Sequence, residues 1–79
     1  MEKSSPALKT ITLTKVERNS GGQVSERTPV LIPVNYVLYC ERIHAYDYGH
    51  LIYPTIVTMT NGSEILVLES LDEIQKAMT

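Results

Sequence analysis

Thr55-Ile56-Val57-Thr58-Met59-Thr60-Asn61-Gly62-Ser63-Glu64-Ile65-Leu66-Val67-Leu68-Glu69-Ser70-Leu71-Asp72-Glu73 decides the fold class of this chain. Two apolar, β-branched runs flank Asn61-Gly62, and that dipeptide tolerates the positive φ angles a tight hairpin turn requires. The runs are therefore antiparallel neighbours. With Asn61 and Gly62 as the two central residues, Thr60 faces Ser63 and Val57 faces Leu66. One face then carries Val57, Met59, Leu66 and Leu68, with Glu64 at its solvent end, and the other carries Ile56, Ile65 and Val67. A three-residue loop with a bulge at Gly62 slips the register by one and reassigns the faces. Either register leaves apolar side chains on both sides of the ribbon.

The hydrophobic period then changes from two to about 3.6. Ser70 can accept from the backbone N–H of Glu73 while the Glu73 carboxylate reaches back to the Ser70 N–H, a reciprocal capping box. Asp72 and Glu73 also sit well at the positive end of a helix dipole. Leu71, Ile74 and Met78 fall on one side, with Ala77 near its edge. A helix of about two turns is not stable alone, so this stripe must dock on the sheet.

The chain has 79 residues, a single cysteine, five tyrosines and neither Trp nor Phe. A domain this size gains only a few kcal/mol from its core. With no internal disulfide and no Cys/His metal spacing, self-association is the expected source of further stability. Seven basic and nine acidic residues give a formal charge of -2. The basic residues do not cluster, which argues against a phosphate-tracking nucleic-acid surface. No apolar stretch has the length of a membrane-spanning helix and no signal-peptide core follows Met1, so a reducing cytoplasm is the expected compartment.

Met1 to Pro6 reads as a flexible leader, and residues 7–79 as one small domain. Ala7 to Val16 alternates Leu8, Ile11, Leu13 and Val16 with Thr10, Thr12 and Thr14, the pattern of a half-buried strand. Glu17 to Thr28, with Asn19-Ser20-Gly21-Gly22, is either a mobile connection or the tip of a long hairpin, and its polarity favours the mobile connection. Pro33 cannot donate to a ladder, so Val30 to Val34 reads as a short strand ending at a kink at Asn35. Tyr36 to Cys40 is a nearly continuous apolar strand, either central and covered on two sides or a place where another chain docks. The expected fold is α+β and mostly β: four to five antiparallel strands in a twisted or barrel-like sheet with one short C-terminal helix.

All the tyrosines lie between Tyr36 and Tyr53, and both histidines fall in the same interval. Tyrosine combines large, rigid contact area with a polar tip. Arg42, His44, Tyr46, Tyr48, His50 and Tyr53 are therefore the candidate partner-binding residues. The competing interpretation makes Tyr36, Tyr39 and Tyr53 half-buried strand residues and the rest a plain surface connection. His44, Asp47 and His50 are ligand types at steps of three, but that spacing aligns them only on a helix, which Tyr46-Asp47-Tyr48-Gly49 disfavours. Cys40 sits in an apolar strand and reads as packing. Gly21-Gly22 lacks the Lys-Ser/Thr of a phosphate loop. No nucleophile has a neighbouring base, so neither catalysis nor a cofactor or metal is expected.

The sequence order of Val34-Asn35, Pro54-Thr55, Asn61-Gly62, Val67-Leu68-Glu69-Ser70 and Asp72-Glu73-Ile74 resembles the small flagellar FlbD/SwrD-type proteins over Val30 to Met78. The segment Ile43 to Tyr53 has no counterpart in that pattern. The resemblance implies a non-enzymatic cytoplasmic accessory protein acting through contacts with a protein partner or with itself. A second likeness, through the turn and the Ser70-Leu71 helix start, is to the DNA-binding domains of LytTR-type regulators. It implies the alternative of a nucleic-acid-binding transcriptional regulator.

Overall fold

The computed structural model describes residues 9–79, and the leader expected at Met1 to Pro6 lies outside them. Seven strands and one α-helix follow in the order β1 (Thr10–Arg18), β2 (Val24–Pro33), β3 (Val37–Arg42), β4 (Ala45–Asp47), β5 (His50–Ile52), β6 (Thr55–Met59), β7 (Glu64–Val67) and α1 (Leu71–Met78). Five of them form an antiparallel sheet in the order β2-β1-β7-β6-β3, and β4 and β5 pair as a separate ribbon. The sheet is open, with β2 and β3 at its edges. The particle is long and narrow, 52 × 22 × 20 Å. No helix among the described residues is long and apolar enough to cross a membrane.

Glu17 to Thr28 is the end of a long hairpin rather than a mobile connection. β1 runs to Arg18 and β2 starts at Val24, so the expected short strand from Val30 begins six residues earlier. The Asn19 side chain organises the turn by accepting from the Gly21 and Gln23 amides at 2.9 and 3.0 Å. Gly22, at φ 83°, supplies the left-handed residue that returns the chain. The polar composition that suggested mobility reflects a ribbon whose residues from Ser25 to Pro29 are all exposed. The pairing shifts between Lys15 and Glu17, opposite Glu26 and Arg27, and Glu26 takes a φ of 53° at that bulge.

Pro33 ends β2, and a single 3-10 turn, Val34–Tyr36, makes the kink expected near Asn35. Tyr36 lies in that turn, and β3 starts at Val37. β3 is an edge strand, not a central one covered on both sides.

The β6–β7 turn adopts the slipped register. The Gly62 amide donates to Met59 O, the Met59 amide donates to Ser63 O, and Gly62 has φ 90°, so Thr60-Asn61-Gly62 is a three-residue loop. Val57 consequently faces Ile65 rather than Leu66. Val57, Ile65 and Val67 join Ile11, Leu13, Ile32 and Ile74 in the main core, while Leu66 and Leu68 turn to the opposite face. One residue of slip moves the whole set because side chains alternate across a strand.

The helix begins as its cap dictates. Glu73 N donates to Ser70 Oγ at 3.2 Å and Ser70 N donates to Glu73 Oε1 at 2.9 Å. Ile74 is buried against the sheet, whereas Leu71 remains exposed. Glu69 places the helix start: its carboxylate accepts from the Thr14 amide and hydroxyl at 2.9 and 3.0 Å, and its carbonyl accepts from the Thr55 hydroxyl at 2.9 Å. These bonds fasten the end of β7 to both of its neighbours.

The opposite face of the sheet is closed by the chain's own Tyr/His-rich segment. Ala45 is buried there with Val16 and Val24, and Ile52, Leu66 and Leu68 pack around them. A sheet apolar on both sides thus has a separate cover for each.

Candidate functional site

β4 and β5 continue a longer ribbon. Arg42 pairs with Thr55, Ile43 N donates to Pro54 O at 3.0 Å, Ala45 pairs with Ile52 and Asp47 with His50, all in one unbroken register. β3 through β6 is therefore one long hairpin whose outer third bends across the sheet. Tyr48 (φ 50°) and Gly49 (φ 80°) form its two-residue end, the pair of left-handed residues that a type I′ turn needs.

Several contacts hold the bent end against the tip of the β1–β2 hairpin. Tyr46 N donates to Gly22 O at 2.8 Å, and Gln23 forms a parallel bridge with Tyr46. Arg18 Nη1 donates to His44 O at 3.2 Å. Arg27, displaced by the bulge at Glu26, pairs with Asp47 at 2.6 Å and lies 5.9 Å from the Tyr48 ring centre. Asp47 raises the Arg27 guanidinium pKa further, chiefly by hydrogen bonding. The Tyr46 ring lies against Gly22, where an added Cβ would come within 3.5 Å of Tyr46 Cδ2.

Strand alternation now sorts the candidate residues. Ile43, Ala45, Asp47, His50 and Ile52 belong to the inward side of the ribbon, with Ala45 and Ile52 in the second core. Arg42, His44, Tyr46 and Tyr53 share the outward side, all exposed, and Leu51, which the sequence reading did not select, joins them opposite Tyr46. Tyr48 stands at the turn and is the most exposed of the large apolar side chains, at 87%. The structure thus brings four candidates onto one surface, sets Tyr48 at its end and places His50 on the other side. Arg42 lies 5.1 Å from the Tyr53 ring centre, a cation–π contact that orients both groups. The missed residue had a signal, since 42, 44, 46 and 51, 53 are the same-face positions of a hairpin turning at 48 and 49.

His44 and His50 lie on opposite sides of the ribbon and Asp47 is engaged by Arg27. Among the described residues no three His, Cys, Asp or Glu side chains gather as a metal-binding group. Cys40 is half-buried on the helix side of β3, and burial raises its thiol pKa above the ordinary value. No family model matches the chain, and neither the curated proteins nor the solved structures give a match.

Proposed function

We propose that this chain is a small non-catalytic binding module whose contact surface is the outward side of the long hairpin, with Arg42, His44, Tyr46, Leu51 and Tyr53 along it and Tyr48 at its end. The supporting observation is the division of labour across one ribbon. Its inward side is spent on closing a core, while its outward side keeps aromatic and aliphatic groups in solvent beside an arginine. Tyrosine and arginine are enriched where protein partners anchor, and tyrosine loses little side-chain entropy on binding. The partner that fits is a protein segment with apolar and acidic side chains, matching Leu51 and the tyrosines on one hand and Arg42 on the other. The FlbD/SwrD-type likeness gives this contact the setting of a cytoplasmic, motility-related accessory role.

The test compares capture of partners from an extract of the source cell by the natural chain and by a Tyr48→Ser, Tyr53→Ser double variant. Both tyrosines are exposed, so circular dichroism and melting should be nearly unchanged while capture falls by at least about tenfold, the loss of a single interface anchor. Equal capture by both proteins refutes the reading. Salt-dependent retention on immobilised DNA, abolished by Arg42→Ala, would favour the LytTR-like alternative instead.

A further inference from the structure

The two edges of the main sheet are not alike. β2 carries Pro29 and Pro33, which cannot donate to an incoming strand, together with a bulge at Glu26 and the charge of Arg27. These are recognised defences against edge-to-edge pairing. β3 has neither proline nor charge between Val37 and Cys40, its one irregularity lies at Leu38 between Val37 and Tyr39, and among the described residues no strand lies on its outer side. Beside that open ladder Leu38 is 60% exposed and Tyr39 53% exposed. On the helix side a groove of about 340 Å³ runs between Cys40 and α1, lined by Leu71, Ile74, Gln75, Met78 and Thr79.

From this asymmetry we infer that β3 pairs antiparallel with β3 of a second copy of the chain, joining two sheets into one of ten strands. The sequence of β3 specifies the register. A strand paired antiparallel with its own copy needs a two-fold axis normal to the sheet, so each side chain stays on its face and some residue must face itself at the axis. A Glu41-centred register opposes two carboxylates. A Tyr39-centred register runs its central pairs through the irregularity between Val37 and Tyr39. Centred on Cys40, the central pairs avoid that irregularity, which is met only at Leu38, and each Tyr39 faces the other copy's Glu41, so that two phenolic hydroxyls donate to two carboxylates. The same register brings Arg42 beside the other copy's Leu38 and joins the two apolar grooves at the axis. No like charges are opposed.

The interface shares only Arg42 with the outward side of the long hairpin, and the substitutions at Leu38, Tyr48 and Tyr53 leave Arg42 in place, so the two readings fail independently. Light scattering and sedimentation equilibrium on the full chain at about 100 μM, well above a micromolar dissociation constant, should report a dimer. Leu38→Lys enters the interface twice and places a charge at an exposed position, so it should weaken dimerisation by about a hundredfold with the circular dichroism spectrum preserved. Tyr48→Ser with Tyr53→Ser should leave the dimer intact. Across the axis the two Cys40 Cα atoms would stand about 4.5 to 5.5 Å apart, within disulfide range. Copper phenanthroline with oxygen should therefore oxidise the two thiols to a covalent dimer, in the natural chain and not in Leu38→Lys. A chain that stays monomeric, a dimer indifferent to Leu38→Lys, or a dimer that gives no Cys40 cross-link each overturns the proposal.

Discussion

The two faces of the sheet are closed by different means. On one, α1 arrives as a separate element with its own cap, seats Ile74 among Ile11, Leu13, Ile32, Val57 and Val67, and is anchored through Glu69. On the other, the ribbon that already pairs β3 with β6 bends over and shuts on Val16, Val24, Leu66 and Leu68, held at its tip by short polar contacts. The first arrangement gives a deep apolar cluster, while the second leaves the covering strands with one side in water. A cover that is itself half of a sheet offers its far side as a surface, and a short capped helix offers little. The difference explains why the recognition candidates gather on the second cover.

Substitutions that open each face separately measure that contrast. Ile74→Ala removes the buried anchor of the helix and should cost about 3 kcal/mol in urea unfolding, the largest effect expected here. Ile52→Ala, at a half-buried position under the bent ribbon, should cost about 1.4 kcal/mol, and the loss should be local. Amide exchange at Tyr46 and Leu51 should quicken by about tenfold while β1 and β6 keep their protection. If exchange instead rose equally throughout, the two covers would belong to one cooperative unit and the contrast would be lost. Ser70→Ala breaks one side of the capping box and should cost about 1 kcal/mol, restricted to the helix face.

Smaller effects sharpen the same contrast. Arg27→Met removes the ion pair at the ribbon tip, and its destabilisation should be less than that of Ser70→Ala and disappear in about 1 M salt, because the pair is partly exposed. At Cys40, burial favours the neutral thiol, so its folded pKa lies above the unfolded one. Its contribution is complete below the unfolded value and fades as pH rises toward the folded one. Alkylation by iodoacetamide near pH about 8.5 should accordingly be slower in the folded chain than in urea.

Those elements were legible in the sequence where local chemistry leaves little choice. The capping box from Ser70 to Glu73, the alternation of Ile11 and Leu13, and the turn at Asn61-Gly62 each follow from hydrogen-bonding or dihedral preferences of a few residues. The register at that turn did not follow, because Asn61-Gly62 suits both a two-residue and a three-residue loop and the choice rests on which faces the distant strands cover. Glu17 to Thr28 does not announce a strand for a related reason: from Ser25 onward its residues are exposed on both faces and display no hydrophobic period. The bent end of the long hairpin was hidden by Tyr48, a bulky residue in the left-handed region where glycine or asparagine would have signalled a turn. The clustering of tyrosines and histidines was plain in the sequence. Their sorting into an inward and an outward side needed the turn at Tyr48-Gly49.

The narrow outline has a practical consequence in solution. A chain of this length packed as a sphere would have a radius of gyration of about 12 Å, and the observed value is 14.1 Å. An elongated particle experiences more hydrodynamic drag than its mass implies and leaves a sizing column early. Elution volume would therefore exaggerate the size of even a lone subunit, and rotational diffusion about its long and short axes should differ measurably in nuclear relaxation.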